Sequence, residues 1–124
     1  MAYSNNDDLF ICISSSELAR ITGGSEIDFD KVNQARNSGD SIIEAYLFGR
    51  IKLDLDNIPM IINKISIDLT IVNLFENYYS FSDIPNTIQR KKRDSINLLK
   101  EIALSKINIF PQNSNKILVQ TNKV

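Results

Sequence analysis

The 124 residues contain no histidine and no tryptophan. Without an imidazole, the commonest general base, the Ser-His and Cys-His dyads and nearly every transition-metal site built by a single chain are excluded. Cysteine is almost as scarce. Cys12 stands alone, so it can form no intramolecular disulfide, and no His is present to activate it. Within Phe10-Ile11-Cys12-Ile13 it reads as a small packed apolar residue rather than a nucleophile. Four glycines and three prolines are spread too thinly to form a glycine-rich phosphate loop. Neither sign of charge is in excess: 14 Lys and Arg face 15 Asp and Glu, so nothing global draws the chain to nucleic acid or to anionic membranes. A long uninterrupted apolar run is also missing. The most apolar stretch, residues 58–75, is broken by Asn63, Lys64, Asp68 and Asn73, and an Asp near the centre of a membrane span costs about 2.5–3.5 kcal/mol. The opening residues carry Asp7 and Asp8 and no positive side chain, the reverse of a secretory leader. The expectations are a reducing site of synthesis and no membrane contact.

What remains is 43% apolar, enough for one compact domain with its own core. Four helical segments are predicted from caps and period. Ser14 with Glu17 three residues later is a capping-box pattern, and Gly23-Gly24 is the stop. Asp28 is the expected N-cap of the second helix, whose Val32, Ala35, Gly39, Ile42, Ile43 and Tyr46 fall on one stripe. A glycine on that stripe implies either another helix crossing closely there or a break near residues 37–39. Gly49-Arg50 ends this helix. Pro59 suits the first turn of the third, which is apolar around most of its circumference and is therefore expected to be central. Ser82-Asp83-Ile84-Pro85 opens the last helix, with Ile88, Ser95, Ile96, Leu99, Ile102 and Ala103 facing inward. After Ile109 the pattern fails. The fold class is all-α: a small bundle of about four helices over residues 14–109, an extended N-terminal arm over 1–13 and an extended C-terminal tail over 110–124.

Catalytic patterns are missing, and no enzymatic activity, cofactor or metal is expected. Asp54 and Asp56 lie one residue apart in a loop, but two carboxylates without further oxygen donors are better read as solvated turn residues. Two features stand out. Asp68 sits midway along the most apolar helix and needs a partner there. Arg50 is the expected structural pair; Lys64, four residues earlier, is the plainer alternative. The second feature is Arg90-Lys91-Lys92-Arg93, whose members advance about 100° each and cannot share one face. Lys92 is expected on the inner stripe, snorkelling outward. Arg90 and Arg93 continue into an outer face with Asn97 and Lys100. That face is either merely solvated or meets an acidic partner or DNA backbone; Arg90, Lys91, Arg93 and Lys100 are the interaction candidates. Ile117, Leu118 and Val119 form a β-prone run beyond the helices and are candidates for contact with a neighbouring copy.

Charge by segment says more than the total. Residues 1–30 hold six acids and one base, whereas residues 86–124 hold two acids and eight bases. A neutral chain with oppositely charged ends is predisposed to head-to-tail self-association.

Residues 18–109 resemble a family of small virion proteins of Mu-like phages and prophages, similar in helical fold to the head-to-tail connector proteins of tailed phages. The resemblance rests on the stretch from Leu18 to Thr22, on Ile27-Asp28, and on Ile42-Ile43-Glu44-Ala45-Tyr46-Leu47-Phe48-Gly49-Arg50, its most recognisable run. It continues in Ile58-Pro59, Asp68, Ile84-Pro85 and Leu98-Leu99-Lys100-Glu101-Ile102-Ala103-Leu104-Ser105-Lys106-Ile107, where Ser105 replaces the usual Gly. The first twelve residues do not follow the family's opening, and the basic run is not one of its features. The resemblance implies an adaptor in the virion neck, assembled in the host cytoplasm. There a ring of copies matching the portal's symmetry, a dodecamer, would sit on the portal protein and offer a surface to a tail or head-completion protein. DNA would pass through the channel without sequence-specific binding. The alternative from the residues alone is a small helical DNA-binding or regulatory protein contacting phosphates through residues 90–93.

Overall fold

The computed structural model describes residues 2–109. The tail over 110–124, with Ile117, Leu118 and Val119, lies outside the described residues. Five α-helices and one 3-10 turn, and no strand, occur among the described residues. They are α1 (Asn6–Cys12), α2 (Ser15–Ile21), α3 (Phe29–Leu47), α4 (Met60–Tyr78) and α5 (Asn86–Ala103), with the 3-10 turn at Phe81–Asp83 between the last two. The all-α class therefore holds, with one more helix than the period showed.

The added helix corrects the expectation of an extended arm. Asn5 caps α1 by accepting from the Asp8 amide, and Asp8 accepts in return from the Asn5 amide. Such a reciprocal box satisfies two of the four amides that a helix start leaves unpaired. Leu9 and Ile13 then bury against the core with Leu18 and Ile21 of α2. Cys12 is exposed rather than packed, because α1 turns Leu9 inward and the thiol lies off that face.

The other boundaries follow their signals. Ser14 Oγ accepts from the Glu17 amide, and Asp28 accepts from the amides of Asp30 and Lys31. Pro59 and Pro85 each stand at the N-cap, where a ring without N–H leaves no donor unpaired. At the end of α2 Gly23 takes φ +105°, with Gly23 N–H donating to Arg20 and Gly24 N–H to Ala19. This is a Schellman stop, and the positive φ is what selects glycine.

α3 and α4 form the antiparallel axis. Asn73 donates to the Ala35 carbonyl near one end of the crossing, and Ser66 meets Asp40 further along. Between them lies Gly39, buried in an unbroken helix; a Cβ there would come within 3.0 Å of Leu69 Cβ. The close crossing is thus the reason for the glycine, and no break occurs. α4 is the central element: every residue from Ile65 to Val72 is buried, and it touches each of the other four helices. The last helix returns beside it, Ile88 packing with Phe75 in one cluster and Leu99 and Ile102 with Ile62 and Ile65 in the other. No helix among the described residues is long and apolar enough to cross a membrane.

Candidate assembly surface

Asp68 is buried on α4, as its place among apolar residues required. Its partners are not Arg50 but Lys64, the plainer alternative, and Lys91, which the spacing did not offer. Lys64 Nζ reaches one carboxylate oxygen at 2.6 Å and Lys91 Nζ of α5 reaches the other at 3.2 Å. Arg50 lies past the end of α3, where its guanidinium donates to the Ala103 carbonyl at 3.4 Å. The physical reason is direction: four residues of α4 make one turn, and Lys91 faces α4 across the helix pair, whereas Arg50 is committed to the open end of α5.

Lys91 therefore serves as a clasp rather than as part of a free basic patch. Lys92, expected to face inward, is exposed and bonds Glu76 at 2.9 Å. Two of the four consecutive cations are thus spent within the fold, tying α5 to α4. Arg93 approaches only its neighbour Asp94, at 3.6 Å, with both side chains exposed. Arg90 and Lys100 make no ion pair among the described residues and are exposed. The free basic surface is accordingly the strip Arg90, Arg93, Asn97 and Lys100, at three- and four-residue steps along the outer face of α5.

The acidic third of the chain is likewise partly used. Asp8 and Asp28 cap helices, and Glu17, whose carboxyl the Arg20 guanidinium holds below the usual range, bonds that neighbour through both oxygens. Arg20 also lies over the rings of Tyr78 and Tyr79, 5.5 and 5.8 Å from their centroids, closing α2 onto the end of α4. Asp7, Glu26 and Asp30 remain exposed.

The sequence pattern did not reveal the buried polar relay that holds the N-terminus. Arg36 Nε donates to Ser4 Oγ at 3.2 Å; Ser4 and Ser66 hydroxyls meet at 2.7 Å; Ser66 Oγ donates to Asp40 Oδ1 at 2.7 Å. Since the Ser66 proton goes to Asp40, Ser4 must donate to Ser66, so the direction of every bond from guanidinium to carboxylate is set. The Tyr3 amide completes the set on Asp40 Oδ2 at 2.9 Å, and Asn6 and Asn33 take the other Arg36 nitrogens. Burial raises the Asp40 carboxyl and lowers the Arg36 guanidinium from their ordinary values. The available signal was Arg36 and Asp40 at i and i+4 beside the small residues Ala35 and Gly39, charges set at the tightest part of a helix crossing.

Asp54 accepts from the Asp56 amide at 3.0 Å and so closes a turn. No group of three or more His, Cys, Asp or Glu able to hold a metal occurs among the described residues.

No curated protein matches the chain. A family model does, that of Bacteriophage Mu, Gp36, over residues 3–123. The match extends past both limits of the resemblance read from residues 18–109, taking in the capped helix α1 and nearly all of the tail. The match covers almost the whole length, so the chain belongs to the bacteriophage Mu Gp36 family and is a Mu-like phage protein.

Proposed function

We propose that this phage protein is a structural, non-catalytic component of the virion: a head-to-tail connector that assembles as a ring on the portal and joins capsid to tail. The observation that carries the reading is membership of the Gp36 family together with a helical body that presents exposed cations along one helix and exposed acids near its start. Arg90, Arg93 and Lys100 lie on one face of α5, while Asp7, Glu26 and Asp30 lie in the first third of the chain. Copies with such surfaces repel face to like face and attract head to tail, and a heterologous contact that closes makes a ring. Charge of this kind sets orientation more than affinity and is screened beyond about 10 Å at 0.1 M salt. The holding energy then comes from exposed apolar residues such as Phe29, Met60 and Phe81.

The regulatory alternative loses support from the ion pairs, since of the run of four cations only Arg90 makes no ion pair among the described residues and Arg93 stands beside Asp94. The test is assembly on purified portal, followed by electron microscopy of the neck. Reversing Arg90 and Arg93 to Glu should abolish ring addition, and reversing Asp7, Glu26 and Asp30 to Lys in the same chain should restore part of it. Failure of the wild-type chain to add to portal, combined with strongly salt-dependent DNA binding, would overturn the connector reading in favour of the regulator.

A further inference from the structure

The end of the bundle where α3 stops and α4 starts carries an apolar groove of about 530 Å³, lined by Tyr3, Leu47, Phe48, Ile51, Leu53 and Leu55. Phe48 is 86% exposed and Leu55 50% exposed on its rim. Large apolar side chains gathered around a concavity mark a surface that is covered by something.

We propose that the groove is the docking site for this chain's own C-terminal segment, with Ile117, Leu118 and Val119 as the inserted residues. Two observations single out that occupant. First, the described chain ends in the apolar cluster that also supplies the groove's lining: Ile109 is buried in the cluster that contains Tyr3 and Leu47, with Ile51, Leu53 and Ile107 packed against it. Second, Ile117 lies eight positions beyond Ile109, a reach of up to about 26 Å when extended, more than twice the ~10–12 Å diameter of a helix with its side chains. The proposal concerns the isolated chain and stands apart from the connector reading; neither requires the other.

The absence of tryptophan supplies the probe. Phe48→Trp places one indole on the groove rim, and its emission is compared in the full chain and in a chain ending at Ile109, with circular dichroism and melting to establish that both fold. The expected result is a blue-shifted, quencher-protected emission in the full chain that moves to the red on removal of residues 110–124, and also on Leu118→Asp alone. The shift should not depend on protein concentration. Identical emission from folded full-length and shortened chains overturns the proposal, and so does protection that disappears on dilution, which would assign the groove to a second copy. A pair of cysteines gives an independent reading. Leu55→Cys with Leu118→Cys, in a Cys12→Ser background, should oxidise to an intramolecular link in a folded monomer; intermolecular links only would again overturn it.

Discussion

Gly39 and Leu69 meet at the narrowest point of the α3–α4 crossing, where a Cβ on residue 39 would stand 3.0 Å from Leu69 Cβ and 3.5 Å from the Leu69 backbone carbon. The obstacle is the root of a side chain on a central helix, which can yield only if the helices separate. Gly39→Ala gains about 1 kcal/mol of helix propensity and loses roughly 1–3 kcal/mol to overpacking. The expected net is a loss of about 1 kcal/mol by the difference of those two effects. Gly39→Val should lose several times more in urea titration. A stabilised Gly39→Ala variant would show that the crossing has slack.

Asp68, Lys91 and Lys64 should prove unequal partners. Asp68→Ala leaves the half-buried Lys91 ammonium facing apolar residues and is expected to cost about 2–3 kcal/mol, near the lower range for breaking a buried pair because Lys91 is one-third exposed. Lys64→Ala should cost only a few tenths of a kcal/mol, as for an exposed i,i+4 pair. A double-mutant cycle should find coupling between Asp68 and Lys91 and none between Asp68 and Arg50.

Ser105 ends α5 at φ +61°, its amide donating to the Ile102 carbonyl and the Lys106 amide to Glu101. That is the Schellman arrangement in which a glycine is favoured. Ser105→Gly relieves a left-handed conformation worth about 1–2 kcal/mol but adds freedom to the unfolded chain, about 0.4–1 kcal/mol. A gain of about 0.5–1 kcal/mol in stability is expected from these terms. A lower melting point would contradict it.

Tyr3 links the N-terminus to pH. Burial first, and then the hydrogen bond its hydroxyl donates to Glu44 at 2.9 Å, push the phenol up to about 12 from 10.0. A group whose folded value is raised contributes stability that is complete below its unfolded value and lost as pH climbs through the folded one. Stability should therefore fall between about pH 10 and 12, and the fall should be smaller in Tyr3→Phe. Phenolate absorbance followed alongside helicity is the measurement.

Ser66→Ala interrupts the relay at its centre, leaving Ser4 without its acceptor and Asp40 without one of its donors. A loss of about 1–3 kcal/mol is expected for buried groups left unsatisfied. Proteolysis within the first residues should accelerate more than cleavage at the α4–α5 connection, because the relay holds Tyr3 and Ser4. Equal acceleration at both sites would mean that the relay stabilises the bundle generally.

Several parts of the fold were legible in the chain alone because they rest on local rules: the caps at Ser14 and Asp28, the stop at Gly23, the prolines before α4 and α5, and the all-round apolarity that made α4 central. Burial of Asp68 was legible for the same reason, since period alone put it among core residues. Of its partners, Lys64 was legible as the plainer i−4 alternative, whereas Lys91 was not, because nothing along the chain gives the orientation of α5 on α4. The seven-residue helix α1 escaped notice because it is too short for a period to emerge, and its stability comes from Asn5, Asp8 and the burial of Leu9 against α2 and α4. Free and committed cations look alike in sequence. Only the packing of α5 decided that Lys91 and Lys92 close the fold while Arg90, Arg93 and Lys100 face outward, since an ion pair between helices depends on distances across space that spacing along one chain does not encode.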